Sequence, residues 1–218
     1  MCPAPRSERR SIPPTARRDR LDNAIVLARR VVLVAAVAHA LLATVHLTMA
    51  WRHSLPPDGR LGTGDIRRWE LLTQISASVA VLLLAAGAIT TIDALYRTHD
   101  AASLFASPGF GRARVAWGWF VPVASLIVPY LVMRRFLRLA GRSTSTLPVW
   151  WACMLAGNIA IRLVVPVGSD VAGELLVAFQ ATATCVAGVL FVRLLADLRD
   201  GLHDQLDRHA PTCAVRPS

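Results

Sequence analysis

His39, His46 and His53 recur every seven residues, so a helix would carry three imidazoles on one stripe that drifts only about 20° per heptad. The chemistry open to such a stripe is metal or haem ligation, or a relay of protons. Neighbouring members stand two turns apart, about 10 Å along the axis, which is too far for two ligands of one ion. No other apolar segment brings a second histidine to complete a site. Polar packing, or snorkelling to the interface, is therefore the expected role, and no metal and no cofactor is assigned.

The remaining candidates are polar or charged residues inside apolar surroundings. Asp93 and Arg97 are four apart, the spacing of a helical ion pair. A carboxylate there is either an interfacial structural partner or a proton or ion site. Arg162 has Asp170 and Glu174 within reach across a short turn, and a clasp between them is expected. Intramembrane charge is a functional hypothesis by default. Ser125, Asn158 and Gln180 fall in mid-segment on three different segments, where they either lock helices together by hydrogen bonds or line a narrow polar passage. No Ser-His-Asp order, HExxH, P-loop or paired catalytic carboxylates occurs, and Gly62 to Gly64 has no preceding strand, which makes it a turn and not a nucleotide fingerprint. The chain is not expected to be an enzyme.

Five apolar segments must position these residues: 31–50, 75–95, 115–136, 147–165 and 171–195. A helix of about 20 apolar residues spans the hydrocarbon core. Apolar residues make up 54% of the 218 and charged residues only 17%, below the roughly 25% usual in soluble domains. All six tryptophans lie at or near segment ends, the preferred place of indole at a membrane surface. All 24 basic residues are arginine and the net charge is +10. Because these arginines flank apolar runs, anionic lipid headgroups are the expected partner and nucleic acid is not. Cys2, Cys153, Cys185 and Cys213 form no CxxC pair and no zinc spacing. Residues 1–30, with four prolines and eight arginines, read as a disordered basic cytoplasmic tail. Residues 196–218 read as an amphipathic cytoplasmic extension of the last helix, carrying on the stripe of Leu195, Leu198, Leu202 and Leu206.

The third segment is broken. Pro122 and Pro129 each lack an N–H and clash with the carbonyl four residues earlier. Arginine counts bear on its path. With five crossings, eleven arginines would face twelve across the membrane, with no positive-inside bias. If the third segment enters and leaves on the cytoplasmic side, the inner face holds nineteen and the outer loop four. Non-helical backbone at membrane depth is tolerated only where protein or a water-lined cavity satisfies it, which a segment shielded by four helices would achieve. A plain proline-kinked crossing is the alternative.

The core of that segment, Trp119-Phe120-Val121-Pro122-Val123-Ala124-Ser125-Leu126-Ile127-Val128-Pro129, resembles the Trp-Phe-Val-Pro-Ile-x-Asn-Leu-x-x-Pro hallmark of an actinobacterial family of polytopic membrane proteins, a domain of unknown function. Leu95 to His99 and Asn158-x-x-x-Arg162 are also similar to that family, and the likeness covers about residues 30–200. It implies an architecture and no reaction. Ser125 stands where the family usually has asparagine, so any amide-dependent site would be altered here.

The expectation is an all-α polytopic integral membrane bundle of the bacterial cell membrane, with its N-terminus cytoplasmic, four crossing helices over residues 31–195, and one re-entrant or interfacial segment. Its expected role is a non-enzymatic scaffold or accessory component, binding anionic lipid through an arginine-rich cytoplasmic face and meeting other membrane proteins or a second copy. The alternative is a small transporter or channel with its pathway at the broken segment. The motif residues Trp119, Phe120, Pro122, Ser125, Pro129 and Tyr130, with Asp93, Arg97, Asn158, Arg162 and Glu174, are the candidate functional positions.

Overall fold

A computed structural model describes residues 14–55, 63–119, 126–167 and 171–209. Among these residues the chain is all-helical: α1 (Pro14–His53), α2 (Thr63–Ala102), α3 (Arg112–Trp117), α4 (Val128–Leu139), α5 (Leu147–Val167) and α6 (Val171–His209). After Pro14, which needs no N–H at a helix start, α1 contains neither proline nor glycine, so nothing interrupts its forty residues. Such a helix is about 60 Å long, twice the roughly 30 Å of a hydrocarbon core. The helices α2 and α6 match it in length, at 40 and 39 residues.

The long helices are antiparallel neighbours. Arg18 of α1 pairs with Asp207 of α6 at 2.9 Å, and twenty-eight residues further along α1, His46 meets Glu174 of α6. At one end of the α1–α2 pair the Arg52 guanidinium lies over the Trp69 ring, 5.3 Å from its centroid. On the far side of α6, α5 stacks Trp150 on Phe191 at 5.2 Å. Close approach is bought by glycine: a Cβ at Gly188 of α6 would stand 3.0 Å from the Ala36 Cβ of α1.

The bundle has two storeys of opposite character. In the apolar runs the large side chains point outward: Leu41 is 63% exposed, Leu82 70% and Ile89 69%. In the other storey they point inward, with Leu21, Ile25, Leu95, Phe136, Leu198 and Leu202 in one fully buried cluster. Water would reverse the first arrangement, whereas lipid accepts it. Helices α1, α2 and α6 are long and apolar enough to cross a membrane, and α5 adds a shorter apolar stretch, Leu147–Leu163. The protein is a membrane-embedded helical bundle whose three longest helices run on into a conventionally packed end.

That end corrects one reading of the sequence, and the opposite end another. The basic tail expected to be disordered over residues 1–30 is helix from Pro14 onward, and residues 1–13 lie outside those described. Leu21, Ala24, Ile25 and Ala28 form an i, i+3, i+4, i+7 stripe buried in the same cluster as Leu198 and Leu202, and this burial orders the segment despite its arginines. Thr63 and Gly64, expected in a turn, open α2. The extension from residue 196 continues α6 without a break to His209.

The described residues of the third apolar segment carry two helices, α3 and α4. Val115 of α3 and Val132, Met133, Phe136 and Leu137 of α4 join the cluster that holds Leu21 and Leu202. Pro129 sits in the first turn of α4, where the missing N–H costs nothing. Beyond α4, Gly141 adopts φ +68°, and Ala140 lies so close to α6 that a Cβ at Gly201 would overlap its carbonyl oxygen. Arg142 pairs with Asp204 at 2.8 Å. Both limbs of the segment therefore pack at the end of the bundle that holds the start of α1 and the finish of α6.

Candidate functional site

Above the packed end, a cavity of about 250 Å³ lies between four helices and the first limb of the broken segment. Helix α1 contributes His39, α2 Thr91, α5 Asn158 and α6 Thr184, while Trp119 approaches from the residue pair following α3. The helices α2 and α5 flank it without packing extensively against each other. Among the described residues its remaining wall is apolar, including Trp150 and Phe191, with no arginine or carboxylate.

Four of the polar groups at this wall have defined hydrogen-bonding states. His39 is buried, with Nδ1 2.8 Å from the carbonyl oxygen of Ala35. A carbonyl can only accept, so Nδ1 carries the hydrogen. The Asn158 Nδ2–H donates to the Met154 carbonyl at 2.8 Å, which orients the amide and leaves Oδ1 as a second acceptor. Thr184 is satisfied within α6: its hydroxyl donates to the Gln180 carbonyl at 2.9 Å and accepts from Gln180 Nε2 at 3.3 Å. The Trp119 Nε1–H is the exception, buried and without a hydrogen-bond partner among the described residues. An indole N–H left unmatched in apolar surroundings costs about 1–3 kcal/mol.

One heptad further along α1, His46 Nδ1 lies 2.5 Å from Glu174 Oε2, with the two side chains 9% and 16% exposed. This corrects the part of the expected clasp in which Glu174 would meet Arg162. Glu174 is directed across to α1, Arg162 is exposed, and Asp170 lies outside the described residues. A carboxylate half a turn along a helix can face a different neighbour, and spacing in sequence does not distinguish the two directions.

The other candidates separate from the cavity. Asp93 and Arg97 form the expected pair at 3.3 Å, largely exposed. Tyr130 rests against Trp151, centroids 6.4 Å apart, and Pro129 is buried in the packed end. Phe120, Pro122 and Ser125 lie outside the described residues. Cys153 and Cys185 are free thiols. Among the described residues no group of three or more histidine, cysteine or carboxylate side chains is placed to hold a metal ion. Sequence reasoning found Asn158 and Trp119 but missed Thr91 and Thr184; a threonine in an apolar run carries no signal of its own, because it so often bonds its own helix. No known protein family matches the chain, and no curated protein or solved structure is significantly similar to it.

Proposed function

We propose that this chain is a non-enzymatic, multi-pass protein of the bacterial cell membrane, in which four helices cross and the third apolar segment enters and leaves on the cytoplasmic side. Its work on this reading is to bind a small molecule in the cavity beside that segment, as a small transporter does. Interrupted helices commonly frame such sites. The observation that carries the reading is the cavity of about 250 Å³ between four helices, where His39, Thr91, Asn158 and Thr184 stand in an otherwise apolar wall. The path of the third segment is supported by the common location of α3, α4, the start of α1 and the finish of α6, and by the nineteen arginines that this path gathers on one side.

A test compares cells producing the wild-type chain with cells producing Asn158→Leu or Ala88→Phe, each challenged with a panel of small lipophilic toxicants. Ala88 lines the cavity, so a phenyl group there would fill it. Wild type should change susceptibility to at least one compound about fourfold or more, and both variants should abolish the change at equal protein level. Identical susceptibility across the panel would remove the transport reading.

A second reading, a scaffold or accessory component that grips anionic lipid or another membrane protein, rests on a different observation. The helix α4 is strongly two-sided, burying Met133, Phe136 and Leu137 while Arg138 is exposed. Neutralising Arg134 and Arg138 together should weaken association with vesicles rich in phosphatidylglycerol on this reading and leave cavity variants without effect.

A further inference from the structure

We propose that Arg162, with Asn158 one turn before it, is the docking point for a transmembrane helix of another protein that carries an aspartate or glutamate within its span. This rests on the accessory reading above, whose own test at Arg134 and Arg138 is separate, and it does not depend on what the cavity holds.

Depth comes first. Trp150 of α5 stacks on Phe191 of α6 and Gly157 faces Thr184, which sets Arg162 level with about Phe179. The contacts of Glu174 with His46 and of Gly188 with Ala36 bracket that level on α1 near Leu42. Leu42 is nine residues inward of the exposed Trp51 and twelve from the exposed Arg30, about 13 and 18 Å of helix. Trp51 and Arg30 thus bound a run as long as the roughly 30 Å hydrocarbon core, and Arg162 stands well inside it.

The surroundings of Arg162 are those of a lipid-facing side chain. It is exposed beside Ile159, Ile161 and Leu163, which are exposed as well, and it does not line the cavity. A guanidinium always carries its charge, and arginines within membrane spans almost always turn inward or pair. Among the described residues Arg162 does neither. Glu174 is engaged by His46, while Glu70 and Asp93 lie toward the two ends of the apolar run of α2, Asp93 paired there with Arg97. A second copy therefore brings no free carboxylate to this depth among the described residues, and charge complementarity calls for one from a different protein. Asn158 strengthens the same face: it is exposed and spends one N–H on Met154, which leaves its oxygen and second N–H to a neighbour. Helix α5 packs mainly on α6, so its outer side is open to a further helix.

The experiment measures energy transfer in phosphatidylcholine liposomes between the full chain and synthetic transmembrane peptides. The chain is labelled at Ser143→Cys with its four native cysteines replaced. The peptides are leucine–alanine helices bearing a single Asp, Leu or Arg at the depth of Arg162. The Asp peptide should associate at least about tenfold more tightly than the Leu peptide, and the Arg peptide should not associate. Arg162→Leu should bring the Asp preference to about twofold or less, and Asn158→Leu should reduce it. Arg162→Asp should reverse the order and select the Arg peptide, a rescue that a misfolded chain would not give. Equal association of the Asp and Leu peptides would overturn the proposal and leave Arg162 to the lipid headgroups. An Asp preference that survives Arg162→Leu would overturn it too. Transfer between donor-labelled and acceptor-labelled chains that is lost on Arg162→Leu would assign the face to a second copy instead.

Discussion

His46 and Glu174 meet at 2.5 Å across the α1–α6 interface, in the storey whose outer surface is otherwise apolar. Within this storey the pair fixes the register of α1 and α6 where they approach through small residues such as Ala36 and Gly188, while Arg18 and Asp207 join them at the packed end. Small-residue contacts allow close approach but slide easily, whereas a directional hydrogen bond between buried side chains selects one alignment.

Breaking that pair from one side should therefore be worse than removing it. His46→Leu or Glu174→Leu alone leaves a buried polar group unpaired and should cost about 2–4 kcal/mol, while the double substitution should recover most of the loss. Thermal unfolding of the three variants in nanodiscs checks this. Additive losses in the double variant would mean that the two side chains contribute independently.

The contact between Ala140 and Gly201 sets a second expectation. A methyl group at Gly201 would overlap the Ala140 carbonyl oxygen and stand 2.8 Å from its Cβ, so α6 and the turn after α4 must separate. Gly201→Ala should destabilise by about 1–3 kcal/mol. At Gly87 the nearest atom to an added Cβ is the flexible Val32 Cγ2 at 3.7 Å, so Gly87→Ala should be neutral or gain up to about 1 kcal/mol of helix propensity. Opposite signs in the two midpoint shifts are the result to look for.

Substitutions in the two storeys should differ in kind. Ile25→Ala empties a fully buried position and should cost about 2–5 kcal/mol. Leu41→Ala and Leu82→Ala face outward in the apolar runs and should change the unfolding midpoint little. Equal effects would contradict the division of the bundle.

Trp119→Phe removes a single buried N–H. That group has no partner to lose among the described residues, so stability should be unchanged or slightly higher. A large loss of stability would assign Trp119 a structural role.

The helical class and the apolar runs were legible in the sequence because hydropathy reports them directly. The ends of the long helices were less so. The stripe of Leu21, Ala24, Ile25 and Ala28 is short and set among arginines and prolines, and its meaning depends on α4 and α6, more than a hundred residues away. The pairing of Asp93 with Arg97 was readable because it is local on one helix. That of Glu174 was not, since an acidic residue in a first helical turn has several neighbours in reach and only the packing angle of α1 selects His46. Asn158 was singled out as a mid-segment amide, but the cavity it lines needs five elements to exist.

The most direct test of the account is the side of the membrane on which Ser143 lies. Ser143 is exposed in the turn between α4 and α5, and Ser54 is exposed just beyond the finish of α1. Each would be replaced by cysteine in the full-length chain with Cys2, Cys153, Cys185 and Cys213 removed, then treated with an impermeant thiol reagent. The account predicts that Ser54→Cys labels in intact cells and Ser143→Cys only after lysis, which puts both limbs of the third segment on the cytoplasmic side. Labelling of Ser143→Cys in intact cells would mean that the third segment crosses, and the account of the cavity beside it would fail.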